Sequence, residues 1–274
     1  MTAVANKVAT MRSDLAERDG VLVAFSGGVD SGVVAAVAHE ALGERAVACT
    51  AKSETLPRAE LNAAIDLADD IGIRHDIVEF SELDSEDFRR NDEYRCYHCR
   101  MMRLGTLFER ADELGLSTVC DGTNASDPGS GHRPGLQAVT ERGAYSPLLE
   151  PGFEKADVRA AAESYDLSVA EKPSMACLSS RIPTGLEVTE DRLTRIERGE
   201  QLLRTWGFSQ FRVRDHGGLA RIELGRDELD RALNPAFADA ARAHFADLGF
   251  EHVTLDLDGY RTGSVSPDEM PAER

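Results

Sequence analysis

VLVAFSGGVDS, residues 21–31, passes without a break from an apolar, β-rich run into the helix-like stretch SGVVAAVAHEAL, residues 31–42. A strand ends and a helix begins on two adjacent glycines. Gly27 and Gly28 let the backbone turn sharply and bring its amides near an oxygen anion. Ser26 and Ser31 add hydroxyl donors, and the amino end of the following helix adds partial positive charge. The stretch therefore reads as a phosphate-binding loop. Its spacing is neither the G-x-x-x-x-G-K-[ST] of Walker nucleotidases, whose lysine it lacks, nor the dinucleotide G-x-G-x-x-G. Asp30 would repel a phosphate unless a divalent cation bridged the two, so the loop implies Mg²⁺ as well as nucleotide. An ordinary bend with glycine for packing is the alternative, and the serines, the aspartate and the flanking elements count against it.

Outward from this loop, apolar β-rich runs alternate with helical patterns: VLVAF, SGVVAAVAHEAL, RAVACTA, PRAELNAAIDLADDIG, RHDIVEF, RMMRLGTLFERADELG and STVCDGT. Short turns between such elements predict an α/β fold, a doubly wound parallel sheet that binds its ligands at the carboxyl ends of the strands. Residues 122–152 are rich in Gly, Pro, Ser and Asp and poor in periodic apolar positions, which predicts a long functional loop. A helix follows near EKADVRAAAESYDL, then the proline-interrupted stretch VAEKPSMACLSSRIPTG. From about residue 188 the pattern is helix, two strands, a helical run over 227–249 and a last strand, a smaller α+β domain. The expected division is 1–180 for the nucleotide domain and 181–274 for a C-terminal substrate-binding domain.

The chain has 274 residues and a net charge of -18, from 49 acids against 31 bases, and only four of those bases are lysine (Lys7, Lys52, Lys155, Lys172). So acidic a surface suits a high-salt, halophilic cytoplasm and argues against a broad nucleic-acid face. No apolar run approaches a membrane span, and the amphipathic start has no signal-peptide core, so a cytoplasmic protein without membrane partners is expected. Five cysteines without an export signal make a disulfide framework unexpected. Cys49 and Cys120 fall in predicted central strands and read as core. Cys96 and Cys99 form a C-x-x-C at a helix start, with both sulfurs on one side near the positive end of the dipole. His98 between them cannot easily share an ion with both. Cys177 lies where no packing pattern needs a thiol, and three such cysteines suit a 4Fe–4S cluster with one iron open to an exogenous ligand. A redox pair, or two half-exposed thiols, is the alternative for the C-x-x-C.

S-G-G-x-D-S resembles the PP-loop of ATP pyrophosphatases, in which the loop grips pyrophosphate while a substrate oxygen attacks the α-phosphorus. Together with RCYHC, GTNASD, RPGLQAV, SPLL, KPSMACLSSRIPTG and FRVRDHGGLARIE, it makes nearly the whole chain similar to the LarE family. That resemblance implies an ATP-dependent sulfur transferase of nickel-pincer cofactor biosynthesis, acting on pyridinium-3,5-biscarboxylic acid mononucleotide. ATP adenylates a carboxylate, a cysteine matching Cys177 displaces AMP, and the carbon–sulfur bond is resolved to a thiocarboxylate. In one branch of the family the cysteine gives up its own sulfur. In another a 4Fe–4S cluster carries sulfide, and the C-x-x-C here resembles that second branch.

The other matched positions are read alongside. Arg212 and Arg214 alternate on one predicted strand, so both face one side and suit a clamp on the mononucleotide phosphate, with an ordinary surface strand as the alternative reading of the residues alone. The resemblance makes Glu200 and Glu223 acidic metal or substrate contacts, whereas composition alone makes them solvated. Asp127 and Arg133 lie in the loop at the carboxyl edge of the sheet, Lys52 and Ser53 follow the second strand either as adenosine-side contacts or as residues of a solvent-exposed loop, and Arg181 is placed to stabilise an acyl-adenylate or its leaving AMP. The expected partners are this small molecule and further copies of the chain. A PP-loop tRNA thiolase, an amide-forming synthetase of the NAD or GMP kind, and a nucleotide-sensing module are the rivals. The first lacks a visible RNA-binding module here, and the last two leave Cys177 unexplained.

Overall fold

The strand that ends at the glycine bend lies inside a parallel four-stranded sheet in the computed structural model, which describes residues 3–127, 134–173 and 176–261. The strands β1 (Val21–Ala24), β2 (Ala46–Lys52), β3 (Arg74–Glu79) and β4 (Thr118–Cys120) run in the spatial order β3-β2-β1-β4. The chain moves outward from β1 to β3 and then returns to the opposite side of β1, so the carboxyl ends of β1 and β4 flank a switch point, where open α/β sheets bind ligands. The helices are α1 (Ala3–Ala16), α2 (Val29–Leu42), α3 (Arg58–Ile71), α4 (Glu86–Arg89), α5 (Arg95–Glu113), α6 (Pro134–Arg142) and α7 (Lys155–Ser164).

Alternation along β1 decides the layers. Val21 and Val23 enter one core with Val33 and Val37 of α2 and Val158 of α7, while Leu22 enters another with Leu104 and Leu107 of α5 and Val139 of α6. The apolar run of α2 reflects burial on nearly all sides, since residues 33–38 are all buried. The stretch 122–152, expected to be a loop throughout, contains α6. Its nine residues start at a proline, a residue tolerated at the first helical position, and they bury Ala138 and Val139. Glycine- and proline-rich flanks concealed that short period.

The chain forms two compact units, Met1–Glu82 with Cys96–Met175, and Leu83–Arg95 with Ala176–Arg274. The division therefore falls at 175/176 rather than at 180, and residues 83–95 join the second unit. Asn91 explains this. Buried and left-handed (φ 56°), it donates from Nδ2 to the carbonyls of Pro183 at 2.8 Å and Leu186 at 2.7 Å, while its own carbonyl accepts from the Gly185 amide at 2.9 Å. The second unit continues with α8 (Glu190–Thr205), β5 (Phe211–Asp215), β6 (Leu219–Leu224), α9 (Leu229–Ala232), α10 (Pro235–Asp247) and β7 (His252–Leu255). Its sheet has the order β5-β6-β7, antiparallel and then parallel, over a core containing Phe208, Phe211, Phe237, Phe245 and Phe250. The helical run expected over 227–249 divides at Asn234, whose Oδ1 accepts from the Ala236 amide at 2.9 Å and caps a helix that starts with proline.

Candidate active site

Gly27 has φ 67°, and a Cβ there would lie 2.8 Å from Cα of Ala64 in α3, so both conformation and space demand glycine. Gly28 is the N-cap of α2 and makes no side-chain cap, which leaves the first amides of the helix to be served by something else. Ser31 Oγ donates to the Gly28 carbonyl at 3.2 Å, accepts from the Ser26 amide at 3.2 Å and lies 3.1 Å from Ser26 Oγ, tying the two ends of the loop together. The segment after β4 packs against the same bend, since a Cβ at Gly122 would meet the Ser31 nitrogen at 3.1 Å. Asn124 Nδ2 donates to Asp30 Oδ1 at 3.0 Å, and Lys155 Nζ lies 2.6 Å from Asp30 Oδ2. Lys172 Nζ donates to the Gly27 carbonyl at 3.1 Å and pairs with Glu60 at 2.8 Å.

Asp127 Oδ2 accepts from the Asn124 amide at 3.0 Å, so it shapes this loop beside Asp30. Ser53 lies 3.2 Å from Thr55 Oγ1 just beyond β2, and Lys52 at the end of β2 pairs with Glu79 on the surface at 2.6 Å. Arg133 lies outside the described residues. Asp30 presents carboxylate oxygen beside the loop, the donor type that a hard divalent cation takes. Sequence reasoning missed Asn124, Lys155 and Lys172. The one signal available for the two lysines was their rarity in an arginine-rich chain.

Cys96 and Cys99 occupy the first turn of α5, Cys96 exposed and Cys99 half-buried. Cys99 Sγ donates to Glu82 Oε1 at 3.3 Å, and Arg103 Nη2 reaches the same sulfur at 3.5 Å. Two thiols three positions apart are soft ligands suited to iron, although among the described residues no group of three or more His, Cys, Asp or Glu is assembled as a metal site. Cys49 and Cys120 are buried in the sheet, and burial pushes both thiols up to about 12.

In the second unit, Cys177 precedes a short 3-10 turn (Leu178–Arg181) and its sulfur lies 3.1 Å from Ser179 Oγ. Arg181, 0% exposed, closes that turn. Its Nη1 donates to the carbonyls of Ala176 at 2.5 Å and Cys177 at 2.9 Å, and its Nε and Nη2 grip the two carboxylate oxygens of Glu200 at 2.9 and 3.1 Å. Expected to stabilise an acyl-adenylate or AMP, this guanidinium is instead committed within the fold and shapes the backbone that carries Cys177.

Arg212 and Arg214 both lie on β5, and both are buried. Register sets Glu223 opposite Arg212, yet Glu223 Oε2 accepts diagonally from Arg214 Nε and Nη2 at 3.0 and 2.8 Å, while its Oε1 accepts from Arg221 at 3.0 Å. Arg214 also donates to the Ser180 carbonyl at 3.0 Å. Arg212 has no carboxylate partner among the described residues. It donates to the Phe211 carbonyl at 2.6 Å and stands over the Tyr260 ring at 5.0 Å. Burial, and then neighbouring Arg181, pull its pKa below the ordinary value. Glu200 and Glu223, read as metal or substrate contacts, are here the buried partners of Arg181 and Arg214.

A parallel sheet carrying S-G-G-x-D-S at the β1–α2 bend, beside a switch point, defines a PP-loop ATP-utilising protein. In agreement, the NAD synthase family model matches residues 3–99. The NH3-dependent NAD synthetase of Campylobacter jejuni shares the fold at TM-score 0.51 and 19% identity, over 91% of this chain and 96% of that one. More specifically, the pyridinium-3,5-bisthiocarboxylic acid mononucleotide synthase of Lactiplantibacillus plantarum is 35% identical across 97% of this chain and 96% of its own length. An uncharacterized protein of Synechocystis sp. is 41% identical across 95% of this chain and 97% of its own. The chain belongs to the LarE family of that synthase. Among the described residues no helix is long and apolar enough to cross a membrane.

Proposed function

We propose that this protein uses ATP to convert a carboxylate of pyridinium-3,5-biscarboxylic acid mononucleotide into a thiocarboxylate, for nickel-pincer cofactor biosynthesis. The observation that carries the reading is near-full-length similarity to a synthase named for the bisthiocarboxylic product, in a chain that has the PP-loop and a cysteine in the turn before Arg181.

Loop amides and the Ser26 and Ser31 hydroxyls hold the pyrophosphate end of ATP, with Lys52, Ser53, Asp127 and Arg133 as further nucleotide contacts. Asp30 would hold Mg²⁺, which when bound neutralises phosphate charge and orients the leaving group. A substrate carboxylate oxygen attacks the α-phosphorus, pyrophosphate leaves, and an acyl-adenylate forms. Arg212, buried and without a carboxylate partner among the described residues, and Arg214 take the substrate phosphate. The Cys177 thiolate then attacks the acyl carbon and AMP departs, leaving a thioester. Loss of the Cys177 α-proton with cleavage of its Cβ–S bond gives the thiocarboxylate and dehydroalanine.

The C-x-x-C favours a second source of sulfur. Cys96, Cys99 and Cys177 would be the thiolates of a 4Fe–4S cluster, which when bound would supply sulfide in place of the Cys177 sulfur. The test is anaerobic purification with iron, sulfide and absorbance analysis, followed by intact mass before and after turnover. A cluster lost in Cys96→Ala, Cys99→Ala or Cys177→Ala but kept in Cys49→Ala supports the second source. One product per chain, with loss of the mass of hydrogen sulfide, supports the first. Thiocarboxylate formation by Cys177→Ala protein would exclude both.

A further inference from the structure

Two of the four lysines in this chain end at the glycine loop, in a protein that otherwise carries its positive charge on arginine. Lys155 is the more informative. Its backbone amide, at the start of α7, donates to Ser126 Oγ at 3.0 Å, so its root is fixed to the segment that follows β4. Its ammonium nitrogen sits 2.6 Å from Asp30 Oδ2, while Asp30 Oδ1 is held by Asn124.

We propose that Lys155 is a placeholder for the divalent cation at Asp30 and, once that cation enters, a binding residue for the pyrophosphate moiety of the nucleotide. The inference rests on the reading of the loop as a site for Mg²⁺ and pyrophosphate. Mg²⁺ binds oxygen at about 2.1 Å, so an ammonium that kept its contact with the same carboxylate oxygen would stand within a few ångströms of the dication and be repelled by it. The ammonium must therefore leave Oδ2 when metal arrives. Asn124 keeps the carboxylate oriented through the exchange. The fixed root confines the displaced charge to the reach of one flexible stem, and within that reach the anion that arrives with the metal is pyrophosphate. A compact ammonium with rotatable donors suits such an exchange, whereas a planar guanidinium fork would lock onto the carboxylate.

Removing the charge should thus move two affinities in opposite directions. In nucleotide-free protein, Lys155→Met is expected to bind Mn²⁺, followed by paramagnetic resonance of the free ion, at least about threefold more tightly, because the competitor at Asp30 is gone. In saturating Mg²⁺, calorimetry with pyrophosphate is expected to show binding weakened by about tenfold, because a charge-assisted contact is lost. Lys155→Arg, which retains charge and guards against a folding defect in Lys155→Met, should leave Mn²⁺ weakly bound and recover part of the pyrophosphate affinity. Either affinity unchanged in a folded Lys155→Met protein overturns the inference. Asp30→Asn separates it from the reading beneath it. Unaltered Mn²⁺ binding in Asp30→Asn would remove Asp30 as the metal ligand, whereas lost Mn²⁺ binding there, with an inert Lys155→Met, sinks the placeholder alone.

Discussion

Arg181 and Glu200 form a two-pronged ion pair with both side chains buried, Nε to Oε1 at 2.9 Å and Nη2 to Oε2 at 3.1 Å. Because the same guanidinium also binds the carbonyls of Ala176 and Cys177, the pair fixes the backbone on which Cys177 stands. The Glu200 carboxylate is held in turn by the Val213 amide at 3.3 Å.

Removing one partner leaves the other charge buried without compensation. Arg181→Met is expected to lower stability by about 3–5 kcal/mol, and replacing both residues by apolar ones should recover much of that loss. Urea denaturation of the single and double variants measures this. A single variant as stable as the unaltered protein would contradict the burial of the pair.

The loop resembles one that retains pyrophosphate while the α-phosphorus is attacked, so ATP should be split to AMP and pyrophosphate. Phosphorus NMR of the products distinguishes this from cleavage to ADP and phosphate. Asp30→Ala should abolish turnover through loss of metal placement.

Arg212→Ala should weaken binding of the mononucleotide by about 1.5–3 kcal/mol and leave ATP binding nearly intact, since Arg212 belongs to the second compact unit and the glycine loop to the first. Calorimetry with each ligand separately decides the matter. Arg214→Ala should also lower stability, because it strips Glu223 of its shortest ion pair. Equal loss of ATP affinity in Arg212→Ala would move that arginine to the nucleotide site.

Cys49 and Cys120 have their thiols raised from 9.0 to about 12, chiefly by burial. Folding therefore favours the protonated form. The native state keeps protons that the unfolded chain releases, so stability is whole below about pH 9 and falls as pH rises from there towards about 12, by up to about 1.4 kcal/mol per pH unit for each thiol. Denaturation midpoints of Cys49→Ala and Cys120→Ala, compared with the unaltered protein at pH 8 and above, test the slope. At pH 8 iodoacetamide should label Cys96 and leave Cys49 and Cys120 unmodified, as read by peptide mass.

The strand–glycine–helix junction, the alternation that sends Val21 and Leu22 into different layers, and the placing of Cys96 and Cys99 on one helical turn were all readable from the sequence. Each depends on the geometry of a single element, where spacing alone decides which side chains share a face. The buried state of Cys49 and Cys120 was readable for the same reason, since both sit in apolar runs of central strands. Partners across the fold were not readable. Asp30 meets Asn124 across 94 positions and Lys155 across 125, and Lys172 reaches the Gly27 carbonyl across 145. Glu200 and Glu223 look like solvated acids in so acidic a chain, and only packing shows that they are buried against arginine. The capture of residues 83–95 by the second unit likewise depends on the contacts of Asn91, a residue whose type alone says only that it tolerates a left-handed turn. Local periodicity fixes neighbours within an element. Which charge neutralises which depends on how separate elements come together, and that is decided by the tertiary packing of the whole chain.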